Sequence, residues 1–263
     1  ILPIDGSEGV AIGEIEVSLA GGETLQVSGF NAQPGDVISI GTIEITGANA
    51  QSAVRLSGDA EIDVWQVRQS DGDAFNNVTV GSAANDSALT LNNDIDIDGN
   101  LAFGANGGSS INYAGDTIFI EGDGNFSNCN ALTDDATSLV NFNNGGAQTL
   151  TTKAALNFND LTKSGSGTLS VTGELNVDDT LTVSAGTIVD LQANNFSIGT
   201  LVNNNVLQLE GSQGTQSITT MDIDSGQVEY DGGAGGSVLI ADFYDLLIDG
   251  TGTFNLGQAI DVN

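Results

Sequence analysis

The stretch Gly167-Thr168-Leu169-Ser170-Val171-Thr172-Gly173-Glu174-Leu175-Asn176-Val177 decides the fold class, because apolar and polar residues alternate along it. Alternation with a period of two is typical of a β-strand that buries one face. The pattern continues through Leu181 and Val183. We therefore expect one set of side chains to point into a core and the other to point outward. The inward set is Leu169, Val171, Leu175 and Val177, and the outward set is Ser170, Thr172, Glu174 and Asn176.

The pattern recurs in long internal copies. The copies open near Phe75, Phe158 and Phe243, which are 83 and then 85 residues apart. Strand-like pieces separated by Gly, Asn and Asp at such a period are typical of a repetitive β-architecture. The first copy carries the alternating series Leu89, Leu91, Ile95, Ile97, Leu101 and Phe103, and the incomplete third copy carries Phe254, Leu256, Ile260 and Val262.

These copies predict an all-β fold, because no segment has a helical period over a useful length. A unit of about 84 residues divides into roughly four coils of about 20 residues, the usual size in a parallel β-helix. We therefore predict a right-handed parallel β-helix, or β-solenoid, over residues 71–263. Residues 1–70 have a different pattern and form an N-terminal β-rich capping or assembly region. A β-meander, a small sandwich and a cap on the coils all fit its sequence.

The charge of the chain excludes some partners. Its formal net charge is −31, from 35 acidic residues against four basic ones. Nucleic acid is excluded because nothing would neutralise its phosphates, and an anionic membrane surface is disfavoured for the same reason. Membrane insertion is not expected, since no apolar run approaches the length of a spanning helix. The chain begins at Ile1 rather than Met, which indicates a processed chain or a segment of a longer one.

A family resemblance lies in the wording of the second copy. The strings Phe158-Asn159-Asp160-Leu161-Thr162, Gly167–Val171 and Leu175–Val183 resemble repeats of large bacterial exoproteins, such as filamentous haemagglutinins and autotransporter passengers. The resemblance covers roughly residues 71–263 and does not extend to residues 1–70. It implies an extracellular or cell-surface location and a role in adhesion, projection or matrix building.

The acidic string Asp94-Ile95-Asp96-Ile97-Asp98-Gly99 is the candidate metal site. It matches the opening of a calcium-binding loop, but Ala105 stands at position twelve, where a bidentate Glu is required. The repeat instead aligns it with a strand, so an outward acidic strand face is the competing interpretation. Calcium bound between adjacent coils would relieve the repulsion among Asp94, Asp96 and Asp98. We expect no required cofactor, with Ca²⁺ as the one candidate ion.

Catalysis is not expected. The chain has no histidine, the commonest acid–base group at neutral pH. A lyase acting on uronates needs cations to hold its substrate, and only Arg55, Arg68, Lys153 and Lys163 are available. A carboxylate pair acting on a neutral glycan stays open as an alternative.

The remaining notable residues are assigned structural roles. Cys129 is the single cysteine, so no internal disulfide forms, and we expect a small buried side chain. Lys153 and Lys163 are expected to be exposed to solvent. Core or other structural positions are expected for Trp65, Tyr113, Tyr230, Tyr244 and the three Phe residues that open the copies.

The sequence therefore predicts a non-enzymatic extracellular β-solenoid, a rigid segment of a bacterial surface adhesin, stalk or matrix fibre. One alternative is a filament or sheath subunit that assembles head-to-tail by β-augmentation. The alternative from another class is a glycan-binding or glycan-cleaving β-helix. The expected partners are other copies of the chain, the rest of a larger exoprotein, or a surface glycan or protein receptor.

Overall fold

The computed structural model describes the backbone of the strands within residues 2–69, and residues 77–81, 86, 88–91 and 94–263 with their side chains. The chain divides into two compact units, Ile1–Ser138 and Leu139–Asn263, called the first and the second unit below. The described residues form strands and turns, with no helix among them.

The first unit contains short strands of two to seven residues. They are β1 (Leu2–Asp5), β2 (Val10–Ile12), β3 (Ile15–Ser18), β4 (Thr24–Phe30), β5 (Val37–Ile40), β6 (Ile43–Thr46), β7 (Ala53–Gly58), β8 (Glu61–Val64), β9 (Val67–Gln69), β10 (Asn77–Val80), β11 (Ala88–Leu91), β12 (Ile95–Ile97), β13 (Leu101–Phe103), β14 (Ser110–Asn112), β15 (Thr117–Ile120), β16 (Gly124–Asn125) and β17 (Ala131–Thr133).

The strands of the first unit pair in parallel, each with a strand about one coil further along the chain. One sheet has the order β1-β4-β7-β10-β13-β16 and a second has the order β2-β5-β8-β11-β14-β17. Strands β3, β6 and β9 form a third set, and β12 pairs with β15. Parallel pairing therefore begins before residue 71, and β7 of the N-terminal region pairs directly with β10. Of the alternatives for residues 1–70, a cap continuous with the coils fits this pairing, and its capping or assembly role stays a prediction.

The second unit contains the remaining strands. They are β18 (Leu139–Phe142), β19 (Gln148–Thr151), β20 (Asn157–Phe158), β21 (Asp160–Lys163), β22 (Gly167–Thr172), β23 (Leu175–Val183), β24 (Thr187–Asp190), β25 (Phe196–Asn203), β26 (Val206–Leu209), β27 (Gln216–Thr220), β28 (Gln227–Tyr230), β29 (Gly235–Val238), β30 (Asp242–Phe243), β31 (Asp245–Ile248), β32 (Thr253–Leu256) and β33 (Asp261–Val262).

The second unit is also a stack of parallel coils. One sheet has the order β19-β22-β24-β26-β28-β31, and another contains β18-β21-β23-β25-β27 with β20 paired to β23. Leu161 pairs with Leu181 and Leu169 with Val189, so these coils are 20 residues long, as predicted. The prediction of an all-β parallel β-solenoid is confirmed. The right-handed sense of the coil stays a prediction.

The core follows the predicted alternation. The four inward residues of the opening stretch are 0–2% exposed, whereas their outward neighbours are partly or fully exposed. The inward series of the first copy is buried as well, from Leu89 to Phe103. Each inward side chain lies in register with its equivalent in the next coil, for example Leu175 with Phe196 and Val177 with Ile198. Apolar burial between coils is therefore the main source of stability.

The long sequence copies are not a whole number of coils, which corrects the expected division into four. In the second unit, β21 and β31 occupy matching positions of their copies, 85 residues apart. However, β21 pairs with β18 and β23, while β31 pairs with β28 in the sheet that also contains β22. The third copy is therefore shifted by one sheet around the coil. The physical reason is that coil length varies locally, from Val189↔Leu207 to Leu207↔Val228.

Candidate functional site

The predicted acidic residues of the first unit lie on and beside strand β12. Ile95 and Ile97 are buried, Asp94 and Asp98 are exposed, and Asp96 is partly exposed. This is the arrangement of an outward acidic strand face, because strand residues alternate between the two sides.

Asp94 ties its own coil to the next one. The main-chain N–H of Thr117 donates to Asp94 Oδ1 at 2.7 Å. Asp116 lies nearby: burial raises the pKa of its carboxyl, and the charges of Asp94 and Asp135 raise it further. The carboxylates of successive coils therefore repel one another along this face.

Asp96 is the most constrained of the three residues. Burial raises the pKa of its carboxyl, and the charges of Asp98 and Glu121 add to this effect. Its Oδ1 atom is buried and accepts no hydrogen bond. Within the described residues, no three His, Cys, Asp or Glu side chains are grouped closely enough to hold a metal ion. Calcium binding by Asp94, Asp96 and Asp98 stays a prediction.

A second acidic column runs along the second unit at the ends of strands β24, β26, β28 and β31. Its members are Asp190, Glu210, Asp231 and Asp249. Burial raises the pKa of Asp190, and the charge of Glu210 raises it further. Burial also raises the pKa of Asp231, followed by the charges of Asp190, Glu229 and Asp249. Stacking coils in register thus places like charges above one another, which opposes folding at neutral pH.

Lys163 is fully buried, which corrects the expectation that it would be exposed to solvent. It occupies the inward phase of β21, in register with Phe142 and Val183. Its Nζ donates to the main-chain oxygen of Asn144 at 2.6 Å and to Gln148 Oε1 at 2.7 Å. Burial lowers the pKa of Lys163 to about 8. The interior of this coil is therefore polar and satisfied by neutral oxygen acceptors.

A second internal polar group surrounds Gln216. Tyr230 is buried and its hydroxyl donates to Gln216 Oε1 at 2.8 Å. Gln216 Nε2 donates to the main-chain oxygen of Ser237 at 2.8 Å. Burial raises the pKa of Tyr230. The phenol therefore stays protonated and acts as a hydrogen-bond donor inside the solenoid.

Asn and Asp side chains at the corners of the coils form a further set of links. The main-chain N–H of Asn100 donates to Asn77 Oδ1 at 2.8 Å, and that of Asp123 donates to Asn100 Oδ1 at 2.7 Å. In the second unit, Thr180 N donates to Asp160 Oδ1 and Thr215 N to Asn195 Oδ1. These side chains satisfy main-chain donors where the strands stop.

The other residues singled out by the sequence are mainly structural. Cys129 is buried, as predicted, and its Sγ donates to the main-chain oxygen of Ala131 at 3.2 Å. Tyr113, Tyr230, Phe158 and Phe243 are buried in the core, whereas Tyr244 is exposed. Lys153 is partly exposed. The side chains of Phe75, Trp65, Arg55 and Arg68 lie outside the described residues.

The sequence analysis did not single out the internal polar residues Gln148, Gln213 and Gln216, and it misplaced Lys163. A signal was present, because each stands at an apolar phase of a strand-like segment: Gln148 precedes Leu150 and Gln216 precedes Ile218 by two residues. A polar residue in the inward phase predicts a buried hydrogen-bonding group.

The arrangement of these groups links coil to coil. Among the described residues, the buried Lys163 and Tyr230 both have protein acceptors, and the acidic columns are exposed or partly exposed. The described part of the chain contains no helical segment that could cross a bilayer. No known protein family, curated protein or solved structure matches this chain.

Proposed function

We propose that the chain is a non-enzymatic structural β-solenoid, a rigid segment of an extracellular bacterial surface adhesin, stalk or matrix fibre. One observation carries this proposal: the polar side chains at corners and in the interior bond to the neighbouring coil. Asn77, Asn100, Asp160 and Asn195 do so at the corners, and Lys163 does so inside. Side chains that are fixed in this way stiffen the stack and are not available for turnover.

The charge of the chain supports an extracellular role. A net charge of −31 keeps neighbouring copies apart in solution and disfavours nucleic acid and anionic lipid. The resemblance of the second copy to bacterial exoprotein repeats points in the same direction. A surface glycan or a protein receptor would be the partner of such an adhesin.

Surface display tests this proposal. The chain is fused to a display scaffold on a non-adherent bacterium, and cell retention is measured under flow on glass and on glycan-coated or protein-coated surfaces. We expect greater retention than with the scaffold alone. A matched fusion carrying Leu175→Asp should lose the gain, because it places a charge in the core. Equal retention of all three strains would contradict an adhesive role.

The glycan-cleaving alternative is tested with the purified chain. A panel of neutral and acidic polysaccharides is incubated with it and assayed for new reducing ends, and a glycan array records binding. We expect no new reducing ends. Release of reducing ends that is lost in a carboxylate variant would replace the structural proposal with an enzymatic one.

Self-assembly into a filament or sheath is the second candidate, and one observation favours it. The inward-phase residues of the last strands are exposed: Ile248 by 44%, Leu256 by 56% and Val262 by 47%. A further coil from another copy would cover them by β-augmentation. Sedimentation and negative-stain microscopy at low and high salt test this idea, because salt screens the repulsion between copies. Fibres that vanish in Leu256→Lys would support it, and separate particles at every salt concentration would oppose it.

A further inference from the structure

A slit interrupts the hydrogen bonding between two successive coils of the second unit. Strand β27 lies at the edge of its sheet, while β29 and β30 pair with the coil that follows them, through β32 and β33. All of residues 216–243 are described, and among them no main-chain hydrogen bond joins β27 to residues 237–243. The two segments are neighbours in the stack without being paired as strands.

The side chain of Gln216 bridges one end of this slit. Its Nε2 donates to Ser237 O at 2.8 Å, and its Oε1 accepts from Leu239 N at 3.4 Å. A strand residue opposite Val238 would make the same two contacts through its own peptide group. The Gln216 amide therefore takes the place of a missing main-chain link and marks where the ladder stops.

Unpaired main-chain groups face the slit from both sides. Phe196 N donates to Thr215 O, so alternate residues of β27 direct their peptide groups toward β25. The intervening residues, Ile218 and Thr220, direct theirs to the other side. Across the slit, Asp261 N donates to Ala241 O, so Ile240 and Asp242 direct theirs back toward β27. Both edges therefore offer the N–H and C=O groups that pair with an extended chain.

The slit also opens the wall of the solenoid. Ile218 continues the inward stack of Val177 and Ile198, both buried, yet Ile218 is partly exposed. A cavity of about 210 Å³ lies here, with Thr219, Met221 and Leu239 among its lining residues. The coils are closest at the other end, where a Cβ added at Gly236 would collide with the main chain of Gly211.

We propose that this slit is a strand-addition site for a short extended segment of a cationic partner peptide. Main-chain hydrogen bonds to Ile218 and Thr220 supply affinity, and charge supplies selectivity. Asp242 lines the cavity, and Asp222 and Asp224 follow Met221 directly. Residues 164–263 contain no Lys or Arg, so a basic side chain meets no repulsion along this stretch.

The test uses the full chain and three labelled nine-residue peptides. The first alternates Val and Thr with Lys at every fourth position, the second carries Glu in place of Lys, and the third is the Lys peptide with alternate amides N-methylated. Fluorescence anisotropy at low salt measures the dissociation constants. We expect the Lys peptide to bind at least about tenfold more tightly than either counterpart, since losing two hydrogen bonds or reversing the charge removes that much affinity.

Two variants locate the binding site. Thr220→Pro removes an N–H that faces the slit on an edge strand, and Thr220→Ala is its matched control. We expect Thr220→Pro to weaken Lys-peptide binding about tenfold and Thr220→Ala to leave it unchanged. Asp242→Asn should weaken the Lys peptide several-fold more than a neutral peptide. Hydrogen exchange on the unmodified chain gives a readout that does not depend on any variant: the bound peptide should protect amides within residues 216–221 and 239–243.

Several results would overturn the proposal. They are absence of Lys-peptide binding at millimolar concentration, equal binding of the N-methylated peptide, or protection confined to other strands. Self-association of the unmodified chain that Thr220→Pro abolishes would make a second copy the occupant and would also contradict it. None of these results bears on surface retention, so this inference and the proposed function can fail separately.

Discussion

The inner coils of the second unit and its last coil place similar side chains in the same register but bury them very differently. Tyr230 and Val238 are fully buried, whereas their partners one coil further on, Ile248 and Leu256, are 44% and 56% exposed. Phe243 is buried, while its partner Val262 is 47% exposed. The strand pattern is the same, so the difference lies in the coil on the other side. In a solenoid, burial is a property of neighbouring coils rather than of the single coil.

The largest effect should come from truncating the same residue type in the two regions. Leu175→Ala removes a fully buried side chain between coils and should lower the free energy of unfolding by about 2–5 kcal/mol. Leu256→Ala, at a side chain that is 56% exposed, should lower it by only about 0.5 kcal/mol. Urea unfolding measures both. Equal losses would show that the last coil is covered in solution.

Close stacking of the inner coils can be tested with two glycines of positive φ. Gly173 (φ 95°) lies against the main-chain oxygen of Thr152, which an added Cβ would hit, whereas Gly186 (φ 79°) has open space around it. Both Ala variants incur left-handed strain of about 1–2 kcal/mol. Gly173→Ala should lose about 1–3 kcal/mol more, because the coils must separate. Thermal and urea unfolding of the pair measure this difference, and equal losses would contradict tight stacking at Gly173.

Lys163 makes the inner coils sensitive to alkaline pH. Its pKa is lowered by burial to about 8 in the folded chain, against an ordinary value of 10.5. The folded state therefore releases this proton first, and stability should rise as pH increases from about 8 to 10.5. Unfolding midpoints at pH 7.5, 9 and 10 measure the rise. Lys163→Met should abolish it while the matched Lys153→Met keeps it, and identical profiles for the two variants would refute the assignment.

The acidic column of Asp190, Glu210, Asp231 and Asp249 joins the inner coils to the last one. The pKa values of Asp190 and Asp231 are raised, so their contribution to stability is present in full at acid pH and is lost as pH rises through the folded values. Melting temperature should therefore increase by a few degrees on moving from neutral to mildly acid pH or on adding salt. The double variant Asp190→Asn/Asp231→Asn should flatten both trends, whereas Asp261→Asn, in the exposed β33, should not.

Calcium binding at the acidic face of the first unit should have the smallest effect. If an ion relieves the repulsion around Asp96, excess chelator should lower the melting temperature by several degrees. A triple Asp→Asn variant at Asp94, Asp96 and Asp98 should melt at one temperature with or without chelator. An unchanged melt of the parent chain in chelator would remove calcium from its description.

The strand interiors could be predicted from the sequence because burial of a strand face follows a local period. Leu169, Val171, Leu175 and Val177 are inward for that reason, and the coil length followed from the spacing of such segments. The burial of Lys163 was missed because charge alone was taken to decide exposure. Its inward phase in β21, two residues after Leu161, outweighed that preference once neutral acceptors were within reach.

The slit beside β27 could not be predicted, because no local pattern encodes it. It depends on whether two segments about 20 residues apart approach within hydrogen-bonding distance, and that depends on the path of the intervening chain. Gln216, in the inward phase before Ile218, was the available sign that the ladder is completed by a side chain there. The identity of any receptor likewise depends on outward residues, which the alternation leaves free to vary.

The mismatch between the long copies and the coil has a consequence for how surface motifs are displayed. Because β21 and β31 face different sheets despite equivalent sequence positions, a motif repeated at this period winds around the column instead of forming a single stripe. Lengthening such a chain by duplicating whole copies would present the same outward motif in several directions. A tether of this kind could meet its target whichever way it happens to be rotated on the cell.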